Sequence, residues 1–89
     1  MREAAEILAI QSLAFIADEP ERLRRFLETT GLELSQIRAA ARESGFLLGV
    51  LEHMLADESL LIAFAAAAGI DPAEVARAAG ALGGRWERG

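Results

Sequence analysis

Hydrophobic residues recur along this chain with the spacing of an α-helix, and no stretch shows the strict alternation that is typical of a β-strand. The pattern begins near the N-terminus and predicts a first helix from about Arg2 to Ala17. Five residues in this segment lie three or four positions apart and form one stripe. We expect this stripe to face the core: Ile7, Ile10, Leu13, Ala14 and Ala17.

Capping and stop signals divide the next part of the chain into two more helices. Asp18, with Glu21 three residues later, is a variant of the capping box, and Pro20 suits the first turn of a second helix. Gly31 ends that helix, because only glycine adopts the left-handed C′ conformation without penalty, and the apolar residue after it favours a Schellman ending. The expected inward positions of the second helix are Leu23, Phe26, Leu27 and Thr30. A third helix is predicted near Leu34 to Glu43, with Leu34, Ile37 and Ala41 on one face.

The second half of the chain predicts three further helices. Ser44 is the expected cap of a fourth helix, whose inward positions are Leu47, Leu51, Met54 and Leu55. Asp57 is the expected cap of a fifth, which is apolar on every side and therefore predicts burial or cover by a partner. Gly69 ends it, and Asp71 followed by Pro72 opens a sixth helix.

The two halves resemble each other at a spacing of roughly 38 residues, with one inserted residue. The matching pairs are Phe26 with Phe64, Gly31 with Gly69, Leu32 with Ile70, and Ile37 with Val75. Two explanations of this similarity stay open. One is an internal duplication, and the other is coincidence, because many helical proteins have a helix that ends at glycine and is followed by the capping residue of the next helix. The predicted fold is an all-α, compact bundle of five to six short helices, with two pseudo-repeated three-helix units as one arrangement. A single domain is expected over 1–82, with a flexible tail over 83–89.

The composition includes few of the residues that commonly act in catalysis. The 89 residues carry a net charge of −5 and include no cysteine, which excludes disulfides and cysteine-based zinc sites. His53 is the single histidine, with Asp57 four residues later, and we expect a local ion pair there rather than a metal site. We therefore predict no enzyme, no cofactor, no metal and no catalytic residue.

The compartment is predicted from two features of the sequence. The N-terminal segment has acidic residues and no cleavage motif, so no signal peptide is expected. The longest apolar run, Leu60 to Ile70, is shorter than the about 20 residues that cross a bilayer. A cytoplasmic protein without membrane contact is the expectation.

Two segments have the spacing of a helix-turn-helix, centred on Gly31 and on Gly69. Around Gly69, Ala65 would allow close helix crossing and Val75 would anchor the second helix. That helix opens with Asp71 and Glu74, which would face the phosphates of DNA. An acidic protein also lacks the general positive surface that binds nucleic acid. We do not expect nucleic-acid binding, although a DNA-associated regulator remains the alternative hypothesis.

Three groups of residues are candidates for contact with a partner protein. They are the fifth-helix residues Leu60, Leu61 and Phe64, the arginines Arg24, Arg25, Arg38 and Arg42, and the tail residue Trp86. The arginines also fit a solvent-exposed face, in which Glu21 pairs with Arg25 and Arg24 with Glu28. Trp86 fits docking on its own chain equally well. The predicted function is a protein–protein interaction module or adaptor, with self-association into a homodimer as one form. A small-molecule binder is a third class.

The chain also resembles a known family over nearly its whole length. The stretches "LAIQSLAFIADEPERLRRFLETTGLELSQIR", "FLLGVLEHMLADESLLIAFAAAAGI" and "DPAEVARAAGALGG" follow one another in order. They resemble the domain-of-unknown-function family 3572, small helical proteins of alphaproteobacteria. This resemblance implies a compact helical fold in a bacterial cytoplasm, and it implies no activity, cofactor or site residue.

Overall fold

The computed structural model of the chain describes residues 2–83, which form an all-α fold as the sequence predicts. The elements are α1 (Arg2–Ala17), α2 (Pro20–Thr30), a 3₁₀ turn (Leu34–Gln36) that continues into α3 (Ile37–Ala40), α4 (Ser44–Leu55), α5 (Glu58–Ala68) and α6 (Ala73–Ala81). The predicted flexible tail lies outside the described residues except for Gly83. The radius of gyration is 12.0 Å, close to the about 12 Å that a compact domain of this size has.

Side-chain hydrogen bonds cap the starts of α5 and α6 in the second half of the chain, but not the start of α2 in the first half. Asp57 caps α5 as predicted, since its Oδ1 accepts a hydrogen bond from the Leu60 amide at 3.2 Å. Asp71 Oδ1 likewise accepts from the Ala73 amide at 2.9 Å at the start of α6. The prediction that Asp18 caps α2 is wrong: the N-cap is Glu19, which makes no side-chain cap bond. The reason is that Asp18 lies in the turn directly after α1, where its amide donates to the Phe15 carbonyl.

Both predicted helix endings at glycine are confirmed. Gly31 has φ 75° and Gly69 has φ 70°, both in the left-handed region. After Gly69 the Ile70 amide donates to the Ala65 carbonyl at 3.0 Å, which is the bond that defines a Schellman ending. After Gly31 the Leu32 amide instead donates to Thr30 Oγ1 at 3.3 Å. The second helix therefore ends at Gly31 as predicted, but in the simpler left-handed motif, so the Schellman ending predicted there is wrong.

The third predicted helix is shorter than the sequence suggests. Only Ile37–Ala40 is α-helical, after a 3₁₀ turn in which the Glu33 amide donates to Gln36 Oε1 at 2.8 Å. Leu34 is 63% exposed, whereas Ile37 and Ala41, which were predicted to share its face, are half-buried. Ser44 is the first residue of α4 rather than its cap, because Glu43 occupies the N-cap position.

The core lies between α1, α4 and α6, which pack against one another. In addition, α2 packs on α1, and α5 packs on α4. The predicted face of α1 is largely wrong, because Ile7 is 53% exposed and Ile10 49% exposed. Leu13 is the one member of the predicted stripe that is buried; the other buried residues of α1 are Ala5, Ala9, Ser12 and Ile16.

The predicted inward positions of α2 and α4 agree better with the observed burial. On α2, Phe26 is fully buried and Leu23 and Leu27 are half-buried, whereas Thr30 is exposed. On α4, the buried residues are Leu47, Val50, Leu51 and Met54, while the predicted Leu55 is half-buried.

The first two helices of each half correspond at a constant spacing of 38 residues with no insertion, and the buried positions of α1 recur in α4. Adding this spacing to the buried residues of α1 from Ala9 onward gives the buried residues of α4, and the N-cap Glu19 of α2 corresponds to the N-cap Asp57 of α5. The aromatic contacts repeat reciprocally. Phe15 meets Phe64 edge to face at 5.5 Å, and the two equivalent positions, His53 and Phe26, meet at 5.1 Å. The halves are therefore pseudo-repeats related by an approximate two-fold arrangement.

The repeat is unequal at the third helix of each unit. The sixth helix packs against both α1 and α4, whereas α3 is a single turn that packs chiefly on the preceding 3₁₀ turn. Val75 is fully buried and its equivalent Ile37 is only half-buried. The surface of the bundle therefore differs between the two units.

Candidate functional site

An exposed apolar stripe runs along α1, and it consists of four residues of the predicted core stripe. We call these four residues the outer stripe: Ile7, Ile10, Ala14 and Ala17. No charged residue occurs in α1 from Ile7 through Ala17. Only some residues of this segment are buried, so its exposed side is uncharged as well. The helix is therefore apolar on two faces, of which one is buried and the other reaches the surface.

A groove of ≈ 410 Å³ lies between α1 and α6, next to the outer stripe. We call it the α1–α6 groove. Its residues are mostly small and apolar, with two oppositely charged residues of α6 among them: Ala4, Ala5, Ile7, Leu8, Gln11, Ile70, Glu74, Arg77, Ala78 and Ala81. Alanines on both helices leave the space open, because a methyl group fills little of the gap between two packed helices.

The predicted surface on α5 is wrong for two of its three residues. Leu60 is 9% exposed and Phe64 3% exposed, so both belong to the core. Leu61 is half-buried. The exposed large residue of this helix is Ile62, at 53%.

The arginine patch is largely engaged with carboxylates of its own helix. Arg24 is hydrogen-bonded to Glu21, and its Nη1 lies 2.6 Å from Glu28. Arg25 Nε lies 3.6 Å from Glu21, so both predicted pairs of α2 are confirmed. The hydrogen bond and charge of Arg24 hold the pKa of Glu21 below its usual value. Arg38 and Arg42 are exposed, and no ion pair among residues 2–83 involves them.

A smaller cavity of ≈ 250 Å³ is formed by residues of α2, of the last turn of α4 and of the start of α5. Its lining carries charges of both signs: Arg22, Arg25, Glu28, Thr29, His53, Asp57 and Leu60. The Arg22 guanidinium lies 4.1 Å from the centre of the Phe15 ring, a cation–π contact that holds this arginine against the core.

His53 is a packing residue in this structure. Its ring and that of Phe26 meet in a T-shaped arrangement, at an angle of 86°, and the His53 side chain is half-buried. Burial lowers the pKa of His53, and the charge of Asp57 partly opposes this shift. The predicted His53–Asp57 ion pair is not among the salt bridges of residues 2–83, since Asp57 caps α5 instead. Within the same residues, no group of three or more His, Cys, Asp or Glu side chains could hold a metal ion.

The helix-turn-helix spacing around Gly69 corresponds to a real steep crossing. Helices α5 and α6 are bent by 98°, within the range of helix-turn-helix pairs, and both Ala65 and Val75 are buried. However, exposed Asp71 precedes α6, and exposed Glu74 lies in its first turn. The corresponding segment after Gly31 contains an α-helix of only four residues. The DNA hypothesis stays a prediction, and this geometry adds no basic recognition helix to support it.

No single helix among the described residues is long and apolar enough to cross a membrane. Helices α5 and α6 would satisfy the length and composition requirements only as a bent pair. Trp86, the third predicted contact, lies outside the described residues.

Sequence comparison places these features in a family. Residues 2–85 match the profile of a family described as "Protein of unknown function (DUF3572)". The chain belongs to the DUF3572 family. The matched segment contains the outer stripe, the α1–α6 groove and all the arginines of the predicted patch, whereas Trp86 follows it directly. No curated protein and no solved structure matches the chain significantly.

Sequence reasoning missed the outer stripe as a surface and the α1–α6 groove altogether. The uncharged run from Ile7 to Ala17 was a usable signal for the first, because an ordinary surface helix carries charged residues on its outer side. The groove had no such signal, since it depends on which alanines of two distant helices meet.

Proposed function

We propose that this DUF3572 protein is a non-enzymatic, cytoplasmic interaction module that binds a partner protein through the outer stripe of α1. The observation that supports the proposal is the combination of half-exposed Ile7 and Ile10 with the absence of charge from Ile7 to Ala17. Interface centres are depleted of charged residues, and contiguous exposed apolar surface commonly marks a contact site.

The chemistry of this surface favours an apolar face of another protein over a small polar ligand. Isoleucine side chains contribute binding free energy by leaving water, at about 25 cal/mol per Å² of apolar surface. The flanking alanines Ala14 and Ala17 allow the backbone of an opposing helix to come close. An amphipathic helix of the partner would satisfy both features.

The test is affinity purification of the tagged chain from a bacterial lysate, followed by mass spectrometry. We expect a reproducible protein partner that is lost with Ile10→Glu. The matched control is Ile62→Glu, because Ile62 is equally exposed but lies on α5, and this variant should retain the partner. A partner that both variants retain would contradict the proposal, and so would the absence of any other protein together with a monomeric chain in solution.

Self-association is the form of this proposal in which the partner is a second copy. Light scattering of the purified protein distinguishes the two forms. A dimer that Ile10→Glu converts to a monomer would identify the partner as the chain itself. If the parent chain and the Ile10→Glu variant are both monomeric, the partner in this proposal is a different protein.

A further inference from the structure

The outer stripe of α1 has the spacing of the contact seam of a coiled coil. Its residues follow one another at intervals of three, four and three positions, which are the intervals between the a and d positions of a heptad. The large residues, Ile7 and Ile10, lie at its N-terminal end, and the small residues, Ala14 and Ala17, lie at its C-terminal end. A helix that packs closely on this stripe therefore needs the opposite order of sizes.

A second copy of α1 in the antiparallel direction has this order. In one register Ile7 faces Ala17 of the second copy and Ile10 faces its Ala14, and two-fold symmetry repeats both contacts. Each layer of the seam then contains one isoleucine and one alanine, so all layers have the same width. Facing large and small residues interdigitate, and the two helix axes can approach to about 8 Å.

A parallel copy of α1 would not fill the seam evenly. It would place isoleucine on isoleucine at one end and alanine on alanine at the other. The isoleucine end would hold the axes apart, and the alanine end would be left with a gap, whose lining loses packing contacts. The sizes of the side chains therefore select the antiparallel direction.

The distribution of charge also favours a second copy at this face. The chain has a net charge of −5, so two copies repel each other in most orientations. The outer stripe is a face across which neither copy carries a charge, and antiparallel helix dipoles attract each other. The equivalent face of α4 differs, because exposed Glu52 stands 38 residues after Ala14. The uncharged face is therefore a property of α1 and not of the repeat.

The size of the contact predicts a reversible dimer. Helix α1 has 16 residues, so two copies can face each other over about 24 Å. One helix pair of this length belongs to the small interfaces, below about 1,200 Å² in total, which are typical of transient complexes. We expect dissociation constants on the order of 10–100 μM, the range of weak association.

We propose that two copies of the chain associate through an antiparallel contact of their outer stripes, with Ile7 on Ala17 and Ile10 on Ala14. This inference rests on the proposed function, because it names the chain itself as the partner of that surface. The same register brings exposed Glu3 of one copy towards exposed Asp18 of the other at both ends of the seam. Screening of this repulsion should tighten the dimer as the salt concentration rises.

Sedimentation equilibrium of the purified chain over a range of concentrations and salt measures the association. Ile10→Glu should raise the Kd by roughly tenfold or more, because it places an unpaired charge inside the seam. Ile62→Glu is the matched control, since Ile62 is equally exposed but lies on α5, and it should leave the Kd unchanged. Circular dichroism checks that both variants retain their helices.

Disulfide trapping tests the register, because the chain contains no cysteine of its own. Differently tagged Ile10→Cys and Ala14→Cys chains are mixed and oxidised. In the antiparallel register the two thiols face each other, whereas two copies of the same variant have their thiols offset by four residues, about 6 Å along the axis. A disulfide needs Cα atoms within about 7 Å, so the mixed disulfide should exceed both homodisulfides several-fold.

The possible results separate this inference from the proposed function. A chain that stays monomeric at about 100 μM, or a dimer that Ile10→Glu leaves intact, would overturn the inference. Predominant homodisulfides would overturn the antiparallel register, and a dimer that dissociates as salt rises would overturn the uncharged seam as the contact. A monomeric chain that captures a different protein through Ile10 would overturn the second copy as partner while supporting the proposed function.

Discussion

At the scale of single residues, the N-caps of α2 and α5 give a direct test of what a capping aspartate contributes. Asp57→Ala removes the hydrogen bond to the Leu60 amide and should reduce the free energy of unfolding by about 1 kcal/mol. Asp18→Ala should change it little, because α2 is capped at Glu19 and Asp18 makes no cap bond. Urea unfolding of both variants measures the difference. Equal losses would show that Asp18 stabilises the start of α2 after all.

His53 should make the stability of the chain depend on pH near neutrality. Burial lowers its pKa below the ordinary value of 6.5, so the unfolded chain binds the proton more readily than the folded chain. The resulting stability is complete above about pH 6.5 and decreases as the pH falls through the lower, folded-state pKa.

The variant His53→Phe should remove this dependence, and it introduces the residue that already stands at the equivalent position, Phe15. Denaturant unfolding between about pH 5.5 and 7.5, a window in which histidine is the side chain with an ordinary pKa, measures the slope. We expect a clear slope in the parent chain and a flat profile in the variant. A slope that persists in the variant would assign the pH dependence to another group.

Ser12 shows how a polar residue is accommodated in the core of α1. Its side chain is fully buried, and its Oγ donates to the Leu8 carbonyl at 2.9 Å. A hydroxyl can therefore occupy a position whose equivalent in the other half is the apolar Val50. Local hydrogen bonding satisfies the polar group without any partner from another helix.

At the scale of the elements, glycines in two conformations should respond to alanine with opposite signs. Gly69→Ala forces a side chain into a left-handed conformation at φ 70°, which costs roughly 1–2 kcal/mol of folding stability. Gly49→Ala lies within α4, where a Cβ would meet nothing within 4 Å, and should stabilise by about 0.5–1 kcal/mol. Thermal unfolding of the two variants checks both signs. A stabilising Gly69→Ala would show that the turn can adopt another conformation.

The number and order of the helices could be predicted from the sequence, because glycine stops and helical spacing act locally. The buried face of α1 could not. The helix packs against both α4 and α6, and close packing favours small residues such as Ala9 and Ser12 on its inner side. Spacing rules give weight to large side chains, so they selected Ile7 and Ile10. Which face is buried depends on partners that are distant in the sequence.

Fewer of the candidate surface residues could be predicted from the sequence, because their exposure also depends on helices that are distant in the sequence. The ion pairs of α2 are local and were predicted correctly. Leu60 and Phe64 were assigned to a surface because α5 is apolar on all sides, yet contacts such as that between Phe64 and Phe15 place them in the core. Accessibility is a property of the assembled bundle rather than of one helix.

At the scale of the whole molecule, the repeat predicts that neither half folds alone. The buried face of α1 is covered mainly by α4 and α6 of the other half, while α2 is its chief neighbour within its own half. Apart from α1, the helices have 12 residues or fewer, and isolated helices shorter than about 12–15 residues are marginal in water. The fragments 1–41 and 42–89 should each show weak helical circular dichroism, and an equimolar mixture should recover the spectrum of the intact chain.

A matched pair of variants makes this complementation specific to the core. Ile16→Asp in the first fragment places a charge at a fully buried position and should abolish recovery. Ile10→Asp makes the same substitution on the exposed side of the same helix and should complement as well as the parent fragment. Strong helicity in either fragment alone would mean that each unit is a self-sufficient fold. Loss of complementation with Ile10→Asp would mean that the outer stripe is buried when the two fragments assemble, which would contradict its assignment as an exposed surface.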